Sequence, residues 1–440
     1  MINDDADLLQ LPSTTALLIS GGDERLALDG GSGRTRYGCR PTPDTELVAL
    51  GSVTASNISL TSFQAAAAVR QQCERQLRTE SQQTVYRRAA ARVRERLLHY
   101  CGYAEGDDPM AILAPSGTDL FMLAANLRRP QCIVLIEPGE TGGGVPSALL
   151  GPRQGAPHLV ASRLADGSLR DADEVDAEYA AIVDAAAAIG QRVLLVLTDV
   201  SKTGLIAPGI AAVLALRSRW PDHLDVLVDA CQFRIDPATV RAYLAHGFML
   251  ALTGSKFMTG PTFSGALLLP RGMASNVIEL SSARCNFGLL LRWEAALAEM
   301  ARFAAVPQPA RQRWTRQFAD AVLAGLAARE AFTPLPVAPL DRAALGVPPG
   351  WDQMQTVFPF QLKGAQGHVL SVDETRAIYR QLQLPGIGVR RFHLGQPAAG
   401  ALRLCISARM IADLHEGVRQ DVTTDVTAAL DRIQQLLRQY

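Results

Sequence analysis

The chain has 440 residues, of which 48% are hydrophobic and 20% are charged, and 43 basic residues balance 43 acidic ones. This length exceeds one ordinary hydrophobic core and predicts a large and a small domain. A net charge of zero provides no long-range field toward phosphate backbones, so we expect no nucleic-acid partner. No apolar run reaches the roughly 18 residues of a membrane span, and we expect no membrane association.

The seven cysteines stand singly, with no pair at CxxC spacing. This pattern favours a reducing compartment over a disulfide scaffold, and it predicts no metal site. The first ten residues are acidic and lack the basic start and apolar run of a signal peptide. We therefore expect a cytoplasmic protein.

The first half of the chain begins with a segment rich in Gly, Pro and Thr, residues 1–50, which predicts an irregular N-terminal arm. A long helical tract at 61–101 follows and ends at Gly102. Its arginines at 87–96 are typical of a solvated helix face. Short apolar runs then alternate with helical stretches from 110 to 270.

The apolar runs lack polar alternation, as strands buried on both faces of a parallel sheet do. They lie at 111–114, 132–136, 193–197, 226–228, 249–252 and 266–269. Their alternation with helices predicts an open α/β sheet that carries helices on both faces. Beyond Pro270 we predict helices at 289–303, 311–329 and 372–382, strands at 356–362 and 401–406, and a C-terminal amphipathic helix. The predicted units are the arm (1–50), a large domain (51–300) and a small α+β domain (301–440).

Three polar segments follow strands at the edge where open α/β sheets bind ligands. The first contains Ser116, Gly117 and Thr118 at a helix start, where backbone N–H groups and the helix dipole suit a phosphate. Ser116 or Thr118 serves equally well as a plain N-cap. The phosphate interpretation therefore needs the other two segments.

The second segment places Asp229 directly after a buried strand, and the third places Lys256 after the next strand. A buried acid needs a cation, such as a protonated pyridine nitrogen, although an Asp that caps a loop fits the same pattern. A desolvated lysine becomes a nucleophilic amine, although a surface lysine is the common alternative. The order of the three segments favours the functional interpretation of each.

Together these motifs resemble the fold-type I pyridoxal-phosphate (PLP) enzymes, and they are most similar to the class V aminotransferase and cysteine desulfurase branch. The similar segments are Ser-Gly-Thr-Asp-Leu at 116–120, Thr-Asp-Val-Ser-Lys-Thr-Gly at 198–204, Asp-Ala-Cys-Gln at 229–232 and Thr-Gly-Ser-Lys-Phe at 253–257. The resemblance implies the PLP-dependent transferase fold, with a mainly parallel sheet in the large domain. It also implies a PLP cofactor.

Residue by residue, the resemblance implies that Lys256 binds PLP as a Schiff base and moves protons at the substrate α-carbon. Asp229 would pair with the pyridine nitrogen, and Gln232 and Ser201 would lie at the ring hydroxyl. The cofactor-phosphate candidates are Ser116, Gly117, Thr118, Thr253 and Ser255. Arg403 would clamp the α-carboxylate of an amino acid, because a planar guanidinium suits that bidentate contact. Arg390 and Arg391 are the alternatives.

Two features depart from this branch. The loop at 137–144, Glu-Pro-Gly-Glu-Thr-Gly-Gly-Gly, contains no aromatic or His residue to stack on the cofactor ring. Its glycines also lack the lysine and spacing of a P-loop. Cys285 lies too early for a desulfurase nucleophile, and Cys405 lies within a predicted strand. Persulfide chemistry is therefore disfavoured.

The leading functional hypothesis is an aminotransferase that acts on an amino acid. The alternatives are a lyase, decarboxylase or aldolase on the same scaffold, and a non-catalytic binding protein. The resemblance also implies a homodimer whose active site lies at the subunit interface. Residues 281–286 are the predicted source of a cross-subunit contact, and Tyr37 and Arg40 of the arm are predicted to line the substrate side.

Overall fold

The structure is a computed structural model that describes residues 10–104, 106, 109–152, 155–273, 285–364, 367–385 and 390–440. Its α-helices are α1 Thr14–Leu18, α2 Leu60–Gln76, α3 Gln82–Tyr100, α4 Gly117–Arg128, α5 Val145–Leu150, α6 Ala172–Ala188, α7 Ile210–Arg219, α8 Pro237–Ala245, α9 Phe287–Ala305, α10 Gln308–Ala327, α11 Val372–Gln381, α12 Ala408–His415 and α13 Thr423–Leu437. Its strands are β1 Leu47–Ala49, β2 Met110–Ala114, β3 Cys132–Ile136, β4 His158–Val160, β5 Val193–Asp199, β6 Ile206–Ala207, β7 Leu224–Ala230, β8 Met249–Thr253, β9 Gly265–Leu269, β10 Phe332–Pro334, β11 Val357–Leu362, β12 Arg391–His393, β13 Gly395–Ala398 and β14 Ala401–Cys405.

The large sheet has the strand order β2-β9-β8-β7-β5-β3-β4, and β6 pairs with the C-terminal end of β5. The neighbours β8, β7, β5, β3 and β4 are parallel, whereas β9 runs antiparallel to both β8 and β2. Every residue of β3, β5, β7, β8 and β9 is buried, as the continuous apolar runs predict. The expected mainly parallel α/β sheet is confirmed.

Alternate residues of the central strands point to opposite faces of the sheet. Leu194 and Val196 of β5 pack in a cluster with residues of α4 and α5. Leu195 and Leu197 pack on the other face in the larger cluster, to which α6, α7 and α8 contribute. The sheet is therefore covered by helices on both faces, and its strand ends stay free to form a site.

A second sheet is antiparallel throughout, with the strand order β10-β11-β14-β13. The arm joins this part of the chain, because β1 pairs in parallel with β12 and places Leu47 opposite Arg391. Helix α9 runs across the domain boundary that we expected at residue 300. The division into domains stays a proposal, and the break between α9 and α10 is the better place for it.

Two local expectations differ from the structure. The tract at 61–101 forms two helices rather than one, because Ser81 starts a new helix by accepting a hydrogen bond from the Thr84 N–H at 3.2 Å. The arm is irregular over most of its described length, but it contains helix α1 and strand β1. Among the described residues, no helix has both the length and the apolar character that crossing a bilayer would require.

Candidate active site

The ends of β2, β7 and β8 meet at one edge of the large sheet, because all three strands run in the same direction. A cavity of about 1420 Å³ opens there. The predicted site residues that line it are Ser116, Gly117, Thr118, Asp229, Gln232, Thr253, Ser255, Lys256 and Arg403. Residues that are more than 280 positions apart in the sequence thus share one cavity.

Asp229 lies at the end of β7 and is 7% exposed. Its Oδ2 accepts a hydrogen bond from the Thr141 hydroxyl at 3.1 Å, and its Oδ1 accepts one from the Cys231 N–H at 3.2 Å. Within the described part of the chain, no lysine or arginine forms an ion pair with this carboxylate. A buried carboxylate in this position is expensive unless a cation completes it, so the site favours a cationic ligand.

Lys256 lies in a tight turn after β8 and is half-buried. The Gly260 N–H closes this turn by donating to the Gly254 carbonyl at 2.8 Å. A side chain at Gly260 would place its Cβ 2.5 Å from that of Ala296 in α9, so the turn can pack this closely only with glycine. None of the described residues accepts a hydrogen bond from Lys256 Nζ, and the amine is available to the cavity.

The segment before α4 forms a capping box at the cavity wall. The Ser116 hydroxyl accepts from the Asp119 N–H at 3.3 Å, and the Asp119 carboxylate accepts from the Ser116 N–H at 2.9 Å. Ser116 therefore serves as the N-cap of α4, whereas Gly117 and Thr118 present the first turn of the helix to the cavity. Such a helix start suits an anion, because its first N–H groups have no partner within the helix.

Two hydroxyl residues of the lysine segment lie beside this helix start. Thr253 donates to the Cys231 carbonyl at 2.6 Å, and Ser255 lies 3.5 Å from the Thr253 hydroxyl. Both residues line the cavity together with Gly117. The ends of β2 and β8 thus bring together the predicted phosphate-binding residues.

Gln232 is buried, and its amide is oriented by three contacts. Its Nε2 donates to the carbonyls of Val200 and Ser201, and its Oε1 accepts from Arg234 Nε at 2.8 Å. Ser201 itself is not among the residues that line the cavity, since its hydroxyl donates to Glu140 at 2.6 Å. The structure thus brings Gln232 to the cavity, but it commits the Ser201 hydroxyl elsewhere.

Glu140 is a cavity residue that the sequence motifs did not indicate. It is 1% exposed and forms an ion pair with Arg163, with 2.8 Å between Glu140 Oε1 and Arg163 Nε. The hydroxyls of Ser201 and Thr203 also donate to it, at 2.6 and 2.7 Å. This network fixes the loop that carries Thr141, which in turn contacts Asp229. The signal in the sequence was an acidic residue within the glycine-rich loop after β3, which also contains Glu137.

Lys202 is the second residue that sequence reasoning missed. Lysine occurs at just three positions of the sequence, Lys202, Lys256 and Lys363, and the first two line the cavity. Burial, and then the nearby charges of Arg403 and Lys256, lower the pKa of Lys202 to about 8. The scarcity of lysine and the position after β5 were the available signals.

Arg403 lies in β14 and is 1% exposed. Its Nε donates to the Gln396 carbonyl and its Nη1 to the Lys202 carbonyl, each at 2.8 Å. These contacts hold the guanidinium at the cavity wall. Burial lowers the pKa of Arg403 below the usual arginine value.

The two alternatives to Arg403 both pair with acids of the protein. Arg391 donates to both Asp44 carboxylate oxygens at 2.8 and 3.0 Å, and Arg390 donates to Asp425 at 2.5 Å. Arg391 lines the cavity, whereas Arg390 does not. Among the three, Arg403 alone has no carboxylate partner in the described part of the chain.

The arm also contributes to the cavity. Tyr37 and Arg40 line it, as expected for the substrate side. Residues 281–284 of the predicted cross-subunit segment lie outside the described residues. Asn286 caps α9 and donates to the Gly21 carbonyl at 2.7 Å.

No family model and no curated protein sequence matches the chain. Solved structures do match along most of its length. Serine palmitoyltransferase from S. paucimobilis with a bound PLP–myriocin aldimine is similar with a TM-score of 0.57 and 13% identity, over 97% of this chain and 96% of that one. The cysteine desulfurase CsdA from Escherichia coli has a TM-score of 0.57 and 15% identity, over 90% and 95%. The glutamate decarboxylase domain of a Vibrio parahaemolyticus protein has a TM-score of 0.57 and 13% identity, over 89% and 81%.

These neighbours are PLP-dependent enzymes of fold type I. The chain therefore has the fold of that class, and the expected fold is confirmed. At 13–15% identity the likeness shows the fold alone, and the neighbours perform several different reactions. The activity of this chain has to be argued from its own cavity.

Proposed function

We propose that this protein is a PLP-dependent enzyme that acts at the α-carbon of an amino acid, most simply as an aminotransferase. The observation that carries the proposal is the placement of Asp229 and Lys256 at the ends of the adjacent parallel strands β7 and β8, in one cavity with the start of α4. Fold alone would not support it, because unrelated functions share folds.

The residues present fit the cofactor. Asp229 has a buried carboxylate without a cationic partner among the described residues, which matches a protonated pyridine nitrogen. Gly117 and Thr118 would hold the phosphate at the start of α4, with Thr253 and Ser255 beside them. Gln232 would form a hydrogen bond with the hydroxyl group of the cofactor ring. When bound, PLP supplies an electron sink that stabilises negative charge at the substrate α-carbon.

The remaining steps belong to the side chains of this chain. Lys256 would hold the cofactor through its Nζ, and the same amine would take and return the proton at the substrate α-carbon. Arg403 would hold the α-carboxylate with the one N–H of Nη1 that has no partner among the described residues, and would so orient the α-carbon. Thr141 fixes the Asp229 carboxylate by donating to Oδ2. Transamination requires that a proton be moved at the α-carbon, and these roles support the proposed reaction class for that reason.

We include a homodimer and a cytoplasmic location in the proposal. All seven cysteines are free, six of them buried, which supports a reducing compartment. The dimer is supported by the resemblance of the sequence to enzymes whose sites lie between subunits. Light scattering at micromolar concentration tests it, and a fully active monomer contradicts it.

Borohydride reduction tests the cofactor and its lysine. The purified protein should be yellow, and reduction followed by peptide mapping should place the pyridoxyl group on Lys256. The chain offers two other lysines, so the readout is unambiguous: label on Lys202 or Lys363 contradicts the assignment. Lys256→Ala should abolish turnover, whereas Lys363→Ala, the matched control outside the cavity, should behave as wild type.

Product analysis separates the reaction types. The protein is mixed with each amino acid, with and without a 2-oxo acid. An aminotransferase produces a new amino acid only when the 2-oxo acid is present. Release of carbon dioxide or of a side-chain fragment without an acceptor identifies a decarboxylase, aldolase or lyase instead. No turnover with a fully labelled Lys256 would favour the non-catalytic alternative.

A further inference from the structure

The side of the cavity formed by the arm, α11 and β12, here called its outer wall, carries seven arginines. They come from the arm, from α11 and from β12: Arg25, Arg34, Arg36, Arg40, Arg376, Arg380 and Arg391. Among the described residues of these elements, Glu46 supplies the one acidic side chain in the lining. The whole chain is neutral, so this positive charge is concentrated at the cavity and is not a property of the surface at large.

The arm is held firmly opposite α11. Asp44 accepts hydrogen bonds from Arg34 at 3.2 Å and from Arg391 at 2.8 and 3.0 Å, which links the arm to β12. Gly38 lies against the Gln383 side chain just after α11, and its φ of +78° is a conformation that residues with a side chain rarely adopt. The arginines of the arm therefore line the same cavity as Arg376 and Arg380 of α11.

Part of this charge is neutralised within the protein. Arg25 pairs with Asp23 at 2.6 Å, and Arg376 pairs with Asp373 at 3.1 Å. Arg34 and Arg391 share Asp44, as described above. Each of these arginines has a partner that offsets its charge.

Arg36, Arg40 and Arg380 form no ion pair with any described residue. Burial, and then the charge of Arg40, lower the pKa of Arg34, and Asp44 offsets this only in part. A cleft lined by one sign of charge focuses its field and concentrates ligands of the opposite sign. The outer wall therefore carries three arginines that have no acidic partner among the described residues, and such a wall suits an anionic ligand.

We propose that the substrate carries a second anionic group, a carboxylate or a phosphate, which Arg36, Arg40 and Arg380 bind at the outer end of the cavity. The inference rests on the proposed function, in which Arg403 takes the α-carboxylate and Lys256 lies at the α-carbon. The cavity, at about 1420 Å³, exceeds the roughly 300–1,000 Å³ of a typical small-molecule pocket, so it has room for the cofactor and an extended side chain. The substrate class is thus an acidic or phosphorylated amino acid.

Two pairs of amino acids, each with one member that carries a side-chain anion and one that does not, test this assignment. Calorimetry on the cofactor-loaded protein at low salt compares L-glutamate with L-glutamine and O-phospho-L-serine with L-serine. At least one acidic member should bind tenfold or more tightly than its neutral partner, and the preference should fall as salt increases. The pair with the larger difference in affinity between its two members shows whether the second anionic group is a carboxylate or a phosphate.

Single substitutions test whether the arginines of the outer wall cause the preference for the acidic ligand. Arg36→Gln and Arg380→Gln should each reduce the acidic-over-neutral preference severalfold and leave binding of the neutral member unchanged. Both side chains are exposed, so the melting temperature should stay at the wild-type value. Arg78→Gln, an exposed arginine of the segment between α2 and α3 that does not line the cavity, is the matched control and should change nothing.

The outcomes separate the two proposals. If the acidic and neutral members bind within twofold of each other, if neither acidic member binds at millimolar concentration, or if the variants keep the full preference, the anionic-substrate inference is overturned. Each of these results leaves the labelling of Lys256 untouched. Failure to label Lys256 instead overturns the proposed function, whatever the ligands do.

Discussion

Asp229→Asn is the substitution that most directly tests the proposed cofactor site. Asparagine has nearly the same shape, and its carbonyl oxygen can still accept from the Cys231 N–H, which is 3.2 Å from Asp229 Oδ1. Its amide nitrogen replaces Oδ2 and can donate to the Thr141 hydroxyl, which donates in the wild type at 3.1 Å. The variant should therefore fold, and the change is confined to the charge.

The expected loss of activity follows from the hydrogen bond that the carboxylate would form with a protonated ring nitrogen. A hydrogen bond to a charged group contributes about 1.5–3 kcal/mol, and a site that is 7% exposed lies toward the upper end of that range. Since about 1.36 kcal/mol corresponds to a tenfold change in rate, a loss of about 3 kcal/mol predicts a decrease in kcat/KM of roughly a hundredfold or more. Binding of the cofactor should decrease less, because the phosphate contacts remain.

Steady-state kinetics, cofactor content after alkaline release and thermal unfolding measure these three quantities. Asp225→Asn is the matched control: Asp225 lies in the same strand, but its carboxylate pairs with Arg128 and Arg192 at 2.8 and 3.5 Å, away from the cavity. It should keep activity within threefold of wild type. An Asp229→Asn enzyme that also stays within threefold would show that Asp229 is not the partner of the ring nitrogen.

Three further changes have defined outcomes. Substrate affinity should fall in the order wild type, Arg403→Lys, Arg403→Ala, because lysine keeps the charge but loses the planar fork, and the visible cofactor absorbance should not change. Substrate affinity should also weaken two- to fivefold as the pH rises through about 8, because Lys202 then loses its charge, and Lys202→Met should remove this step. Arg342→Met should lower the free energy of unfolding in urea by about 3–5 kcal/mol, since it leaves the carboxylate of Asp199 buried without its cation.

Each of these predictions has a result that contradicts it. Normal substrate binding by both Arg403 variants would place the carboxylate elsewhere, with Arg390 or Arg391 as the alternatives. If the decrease in substrate affinity near pH 8 persists in Lys202→Met, another group causes it. An Arg342→Met protein with wild-type stability would show that the buried Asp199 carboxylate does not need Arg342 as its cation.

The strands of the large sheet were predictable because burial on both faces leaves a continuous apolar run. The run at 132–136 matches β3 at both ends, and the run at 193–197 falls short of β5 by Thr198 and Asp199 alone. Those two residues are polar, so hydropathy could not include them, although the strand buries both. The break between α2 and α3 was missed for a similar reason, because a serine N-cap gives a weaker signal than Gly or Pro.

The site was predictable where a charged residue directly follows an apolar strand. Lys256 and Asp229 each follow an apolar strand, and the structure brings both to the cavity. The Ser201 hydroxyl was not predictable, because its partner Glu140 lies 61 positions earlier in the sequence. A contact of this kind depends on how β3 and β5 are placed side by side, which no local pattern contains.

Arg234 shows why the geometry of the site depends on segments that are far apart in the sequence. It follows Gln232 by two residues and orients that amide through a 2.8 Å hydrogen bond. Its other donors reach the Ile406 carbonyl at 3.1 Å and the Ser52 hydroxyl at 2.7 Å, so the C-terminal part of the chain and the segment after β1 both contact it. Burial lowers the pKa of Arg234 to about 10, and among the described residues no carboxylate pairs with it. Carbonyl and hydroxyl oxygens and the ring of Phe257, whose centroid lies 5.1 Å from Arg234 Cζ, surround this buried cation. A displacement of the segment at 52 or at 406 would therefore weaken one of the three contacts that orient the amide of Gln232. The position of the proposed cofactor contact is therefore coupled to the packing of the small sheet and the arm against the large sheet.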